Sequence, residues 1–242
     1  MVKGRGFGDL LMIGITGHRG APQEAPENTL LSFRRALKLG VAAVELDVQL
    51  TREGRLAVIH DETLDRTTNG RGLVKDFTLA ELKRLDAGKG EAIPTLEEVL
   101  ELVRNRAGLL VELKQREAAA ALLEFFRRER AFEAARVISF WHPALKAMKE
   151  AEPRLKTGAL MVGCPADPAG LARAAGADVL VLNYHFLDQE LAEAARRHKI
   201  KVIAWNIDDP EILGDYLAMN LEAICTNRPR EIMERWRCTT GK

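Results

Sequence analysis

The sequence predicts an α/β protein in which eight parallel strands close into a (β/α)8 barrel, the TIM-barrel architecture. Three observations carry that reading. Short apolar runs with strand character alternate with amphipathic helical stretches from end to end of the chain. The runs number eight, and strict β–α alternation calls for a parallel sheet covered by helices. The length of 242 residues is close to the ~250 typical of such a barrel and accommodates one large core, so residues 1–242 read as a single domain. An open doubly wound sheet is the alternative use of the same units.

The elements follow in order. Leu11–Thr16 is the first apolar run, and Thr29–Leu39 follows it with apolar residues three and four apart. Ala43–Leu50 is the second strand and Gly108–Leu113 the third. Between them the chain is far longer than one helix requires. It holds a turn at Arg52-Glu53-Gly54, a short strand Leu56–Ile59 and a polar stretch Asp65–Gly72. Thr78 with Glu81 and Thr95 with Glu98 each match a capping box, the second opening a helix Leu96–Arg104. An insertion that follows a barrel strand lies at the C-terminal face, where barrel active sites sit. Asp61–Gly90 is therefore expected to form a small subdomain at the active-site mouth. The remaining strands, Arg136–Phe140, Thr157–Val162, Val179–Leu182, Lys201–Trp205 and Ala223–Thr226, begin about 22 residues apart, the length of one strand–loop–helix–loop unit. Helical patterns at Ala118–Arg130, Pro143–Ala151, Asp188–His198 and Pro229–Trp236 fill the same half of the chain.

Composition excludes several function classes. A formal net charge of +1 gives no electrostatic case for nucleic acid or a membrane surface. No apolar stretch approaches the ~20 residues that span a bilayer, so no stable membrane insertion is expected. Leu10–Ile15 is too short for a signal-peptide core and leads into His18 and Arg19 rather than a small-residue cleavage site. Cys164, Cys225 and Cys238 are odd in number and widely spaced, which speaks for reduced thiols in a cytoplasmic protein. Composition leaves the oligomeric state open.

Chemically capable residues concentrate at strand ends. Glu45 and Asp47 are two apart on a strand and share a face, and Glu112 ends the next barrel strand toward the same space. Carboxylates so close repel one another, and three of them suit a hard divalent ion such as Mg2+ or Ca2+ better than zinc. Salt bridges to Arg19 and Lys114 would answer part of the same charge. With a metal present, Arg19 and Lys114 make a cationic surround for a phosphate. His18 and His60 leave strand ends beside the acids, and either can move protons near neutral pH. His142, His185 and His198 read as structural. Together these groups describe a phosphoryl-transfer or phosphodiester-cleaving site.

The motifs resemble the glycerophosphodiester phosphodiesterases. His18-Arg19-Gly20, Pro26-Glu27-Asn28-Thr29, Glu45-x-Asp47, His60-Asp61, Leu64-Asp65-Arg66-Thr67-Thr68, Glu112-x-Lys114 and Trp205 occur in the family's order over nearly the whole chain. The resemblance implies a barrel with a small insertion and one divalent metal ion, Mg2+, Ca2+ or Mn2+. It implies hydrolysis of a small glycerophosphodiester to glycerol 3-phosphate and an alcohol. By matching position, Glu45, Asp47 and Glu112 would bind the metal, and His18 and His60 would be the acid/base pair. Arg19 and Lys114 would hold phosphate, and Trp205 would cover the glycerol backbone.

The chain also departs from that pattern. Similar proteins often carry Trp-Thr-Val-Asn and Thr-Asp-Arg-Pro at the last two strands, where this one has Trp205-Asn206-Ile207-Asp208 and Thr226-Asn227-Arg228-Pro229. Trp141 stands where a small polar residue is common. These departures are expected to touch the substrate pocket and not the metal or histidine set. Two rival functions remain: a lysophospholipase-D-like phosphodiesterase on lysolipids, and a non-catalytic protein binding phosphorylated polyols. The second would predict loss of a histidine or metal carboxylate, and the sequence retains them all.

Overall fold

In the computed structural model, which describes residues 14–241, β1 (Gly14–Gly17) pairs in parallel with both β2 (Ala43–Leu50) and β9 (Ala223–Thr226). That double pairing closes a barrel. The other strands are β3 (Leu56–Val58), β4 (Gly108–Leu113), β5 (Ala135–Ser139), β6 (Thr157–Met161), β7 (Val179–Asn183) and β8 (Lys201–Trp205). All but β3 run parallel round the ring in the order β1, β9, β8, β7, β6, β5, β4, β2. The eight-stranded barrel expected from the sequence is thus the fold. Of the first apolar run, residues 11–13 lie outside the described residues, and the strand itself ends one residue later than Thr16.

The covering helices are α1 (Leu30–Leu39), α2 (Leu79–Leu82), α3 (Leu96–Val103), α4 (Ala119–Glu129), α5 (His142–Ala151), α6 (Pro168–Ala175), α7 (Gln189–Arg197), α8 (Leu213–Ala218) and α9 (Pro229–Thr240). Thr78 and Thr95 make the two expected capping boxes with Glu81 and Glu98. Asp167 and Asp188 cap α6 and α7 through their carboxylates. The strands are apolar on both faces because helices cover one side and the barrel interior the other. Outward residues such as Leu46, Val111 and Leu180 pack under the helices. Inward residues Ala43, Leu110, Ile138, Leu160, Val181 and Ile203 fill the interior. Below them, the buried Arg136 and Glu222 close the N-terminal floor with two hydrogen bonds of 3.1 and 3.3 Å.

β2 is longer than its neighbours, and its upper half has a second partner. β3 pairs antiparallel with it through Val48↔Val58 and Leu50↔Leu56, carrying the chain up onto the C-terminal rim. The segment that follows packs round its own apolar cluster of Ala57, Ile59, Leu64, Val74, Leu82, Ala87 and Ile93. Its polar stretch is tied internally: the Gly72 amide donates to Asp65 and the Leu64 amide to the Gly72 carbonyl. β5 and β6 each stop a residue early. The Ser139 hydroxyl donates to the Leu113 carbonyl and accepts from the Trp141 amide, which turns Phe140 out of the strand.

Candidate active site

The inward parity of the strands builds the site. On β2, Ala43 belongs to the interior, so Glu45 and Asp47 above it also point inward. On β4, Leu110 fixes the same parity for Glu112. One ligand oxygen from each of the three carboxylates lies within 4.8 Å of the others, and all three residues are buried. Burial, together with the neighbouring acids, raises the Glu45 pKa well above the carboxylate range. Burial and the charge of Asp47 push Glu112 up to about 7. Burial also opposes ionisation of Asp47, but Arg19, Lys114 and the Asn28 amide override it and hold its carboxyl below the ordinary value. Three acids with this much unrelieved repulsion fit a hard divalent cation. Asp47 Oδ1 accepts no hydrogen bond and lies 3.6 Å from the Lys114 ammonium, a donor atom free for such an ion.

The bases and imidazoles surround this cluster. Arg19 lies 3.3 Å from Asp47 and donates to Glu27 at 2.9 Å, while its backbone amide donates to Glu45. That backbone turns sharply: Arg19 has φ 53° and Gly20 φ 91°, and a Cβ on Gly20 would lie 2.4 Å from Ser32 Oγ. Lys114 donates to Glu112 at 2.9 Å and to His60 Nε2 at 3.0 Å. The opposite His60 nitrogen, Nδ1, lies 2.6 Å from Asp61, whose carboxylate accepts two bonds from Arg66. Arg66 also donates twice to Glu27, and with Arg19 it holds that carboxyl at about 2 against the cost of burial. The inserted segment is thereby fastened to the loop after β1.

His18 mirrors His60. Its Nε2 lies 3.8 Å from Glu45, and its Nδ1 lies 2.6 Å from Asn227 Oδ1. Burial first, then Arg19, lower its pKa. Both imidazoles therefore carry their anchoring partner on Nδ1; Nε2 of His18 faces Glu45, and Nε2 of His60 meets the Lys114 ammonium.

His18, Arg19, Glu45, His60, Glu112, Lys114 and Trp205 all line one cavity of about 690 Å³, counted to its open mouth. Asp47 sits just behind its wall, fully buried. The far side is apolar, formed by Leu110, Ile138, Phe140, Leu160, Val181 and Ile203. The Trp205 indole donates to the Val181 carbonyl, and its ring meets Phe140 edge to face at 5.9 Å between centroids.

Sequence reasoning missed several supporting side chains. Asn28 donates to Asp47 at 2.8 Å, and Gln49 donates to the His60 carbonyl at 2.9 Å. Inward parity on β2 could have found Gln49; nothing local marks Asn28 except the Pro26-Glu27-Asn28-Thr29 motif. One expectation is corrected outright. The departures at Asp208 and Asn227 do reach the histidine set, because Asn227 is the side chain that holds His18.

Two imidazoles, two basic side chains and three carboxylates thus converge at the C-terminal mouth of the barrel, the face on which the active sites of barrel enzymes sit. The family model described as the glycerophosphoryl diester phosphodiesterase family matches residues 18–231, and the chain belongs to that family. It is 37% identical over 236 residues to a glycerophosphodiester phosphodiesterase of Caldanaerobacter subterraneus subsp. tengcongensis, covering 90% of this chain and 96% of the relative. Among solved structures it is similar to an Oleispira antarctica phosphodiesterase in complex with the product sn-glycerol-3-phosphate (TM-score 0.85, 30% identity, 93% and 97% of the two chains). A glycerophosphodiester phosphodiesterase of Agrobacterium tumefaciens str. C58 superposes with a TM-score of 0.82 at 30% identity, over 92% and 100% of the two chains.

Proposed function

We propose that this protein hydrolyses glycerophosphodiesters to glycerol 3-phosphate and an alcohol, with His18 and His60 as acid and base. The observation that carries the reading is the paired orientation of the two imidazoles. Each is anchored at Nδ1 and presents Nε2 to the space beside the acidic cluster. Glu45, Asp47 and Glu112 would hold a divalent ion, Mg2+, Ca2+ or Mn2+, which when bound neutralises phosphate charge. Arg19 and Lys114 add cationic contacts to the phosphate oxygens. The lowered pKa of His18 keeps its ring neutral near pH 7, ready to take the proton of the glycerol 2-hydroxyl. That hydroxyl attacks the neighbouring phosphorus with its positioning entropy already met. His60 protonates the departing alcohol through Nε2, which takes up its proton once Lys114 leaves that nitrogen for the phosphate. Water then opens the resulting cyclic phosphate.

The experiment is release of glycerol 3-phosphate from glycerophosphocholine by the parent, His18→Ala and His60→Ala proteins. Each variant should lose about 10²–10⁴-fold in kcat. Near-normal turnover by either would remove that imidazole from the mechanism. Phosphorus NMR of the reaction should show a transient cyclic phosphate, and its absence in a slow variant would favour direct attack by water.

A second reading, a phosphodiesterase of lysolipids, is favoured by a specific observation. Phe140, Trp141, Val162 and Phe186, all between 43% and 57% exposed, follow three adjacent strands, β5, β6 and β7, and so share one sector of the rim. That sector continues the apolar side of the cavity. A preference for lysophosphatidylcholine over glycerophosphocholine that collapses in Phe140→Ala would support it. Among the described residues no helix is long and apolar enough to cross a membrane. The three free cysteines, two of them exposed, support a reducing, cytoplasmic setting.

A further inference from the structure

Asp208 lies outside the cavity and touches neither histidine. Its carboxylate nevertheless accepts three hydrogen bonds, all from the end of β9. Oδ1 takes the Thr226 hydroxyl at 2.9 Å and the Asn227 backbone amide at 2.7 Å, and Oδ2 takes Asn227 Nδ2 at 2.8 Å. No basic side chain pairs with it among the described residues. Because a carboxylate only accepts, the Asn227 amide has one possible orientation: nitrogen to Asp208, oxygen to His18. An amide oxygen also only accepts, so the His18 nitrogen 2.6 Å away, Nδ1, carries the proton. The lone pair is then left on Nε2, the nitrogen that faces Glu45 and the cavity. With Nδ1 protonated, the Asn206 amide, whose nitrogen lies 3.2 Å from Nδ1, must be turned so that its otherwise unpartnered Oδ1 accepts from Nδ1–H.

We propose that Asp208 is a positioning residue of the reaction, acting through Asn227 to fix the tautomer of His18 with Nε2 free for proton transfer. The inference rests on the assignment of His18 as an acid/base group. Without Asp208 the Asn227 amide can rotate and present its N–H to Nδ1, which would place the proton on Nε2, where it blocks the role of base. The same logic explains the departure from the family pattern. A chain with Asn and Asp at the positions of Asp208 and Asn227 could hold the same atoms with one hydrogen bond reversed. There the amide would donate to the carboxylate at the end of β9, and that carboxylate would accept Nδ1–H directly. One carboxylate and one amide serve in either order; two of a kind do not.

The test is a double-mutant cycle with D208N, N227D and the exchanged pair D208N/N227D, and N227A as a further variant. N227A leaves the Thr226 and backbone bonds to Asp208 Oδ1 in place and removes the side-chain bridge from Asp208 Oδ2 to His18. Each single variant should lose about 10–100-fold in kcat with KM within about twofold of the parent, and the exchanged pair should regain most of the loss. Nitrogen NMR of 15N-histidine protein, with His18 assigned from a His18→Gln sample, reads the tautomer without any turnover. The parent and the exchanged pair should show the proton on Nδ1, and D208N and N227A a shift of population toward Nε2. Singles that keep the parent's tautomer and kcat, or an exchanged pair no better than its folded singles, would overturn the proposal. Loss confined to melting temperature, with tautomer unchanged, would also overturn it and leave Asp208 a loop brace. Full turnover by His18→Ala would instead remove the reading on which the inference rests.

Discussion

The acidic cluster should make the ion-free protein less stable as pH rises, the reverse of what well-paired carboxylates do. Burial and Asp47 raise Glu112 from 4.5 to about 7 in the folded chain. The folded state therefore binds a proton that the unfolded state releases at about pH 4.5, and folding loses free energy between about pH 4.5 and pH 7. At 1.36 kcal/mol per pH unit the loss is about 3 kcal/mol, levelling off above pH 7, and the burial of Glu112 leaves little solvent to screen it. A bound divalent ion takes the proton's place and stabilises the folded chain by RT ln(1 + [ion]/Kd). The assay is urea unfolding from pH 4.5 to 8, in chelator and in excess Mg2+, for the parent and Glu112→Gln. In chelator, the variant should gain on the parent by about 3 kcal/mol across that range. In Mg2+ at pH 8 the parent should recover and the variant should not. Parallel curves for the two proteins in chelator would refute the reasoning, because Glu112 would then carry no unusual proton.

Three further outcomes follow. Arg19→Ala should raise KM as well as lower kcat, because a phosphate contact present in the ground and transition states is partly uniform binding; steady-state kinetics on glycerophosphocholine reads the split. Leu64→Ala should loosen the inserted segment, whose cluster centres on that fully buried side chain, by about 2–4 kcal/mol, seen as faster hydrogen exchange between residues 60 and 90. Arg136→Met alone should lower the free energy of global unfolding by up to about 3 kcal/mol by leaving Glu222 with only the exposed Lys201 at 3.8 Å, while Arg136→Met with Glu222→Leu should recover most of it.

The barrel was legible because its strands are apolar on both faces and recur at a near-constant interval. The acidic cluster was legible because two residues two apart on a strand must share a face, which put Glu45 and Asp47 together from the sequence alone. What stayed hidden depends on contacts between distant parts of the chain. Arg136 reads as the first residue of a strand, and only closure of the ring brings it to Glu222 on the floor. α6 escaped notice because its buried face is Ala169, Ala172 and Ala175, too small to give a strong apolar period. Phe140 reads as strand by its apolar character, yet the Ser139 hydroxyl turns the chain one residue earlier. Asp208 and Asn227 were visible as departures from a family pattern. Their link to His18, across more than 200 residues of sequence, was not.

The most direct test of the account is glycerol 3-phosphate release from glycerophosphocholine by one preparation in three states: as purified, stripped with chelator, and replenished with Mg2+, Mn2+ or Ca2+. The same series is run on Asp47→Ala, with bound metal counted by elemental analysis. The account predicts activity that falls with chelation, returns with a divalent ion in the parent, and does not return in Asp47→Ala while that variant stays folded. Full turnover by parent protein shown to hold no metal would contradict it.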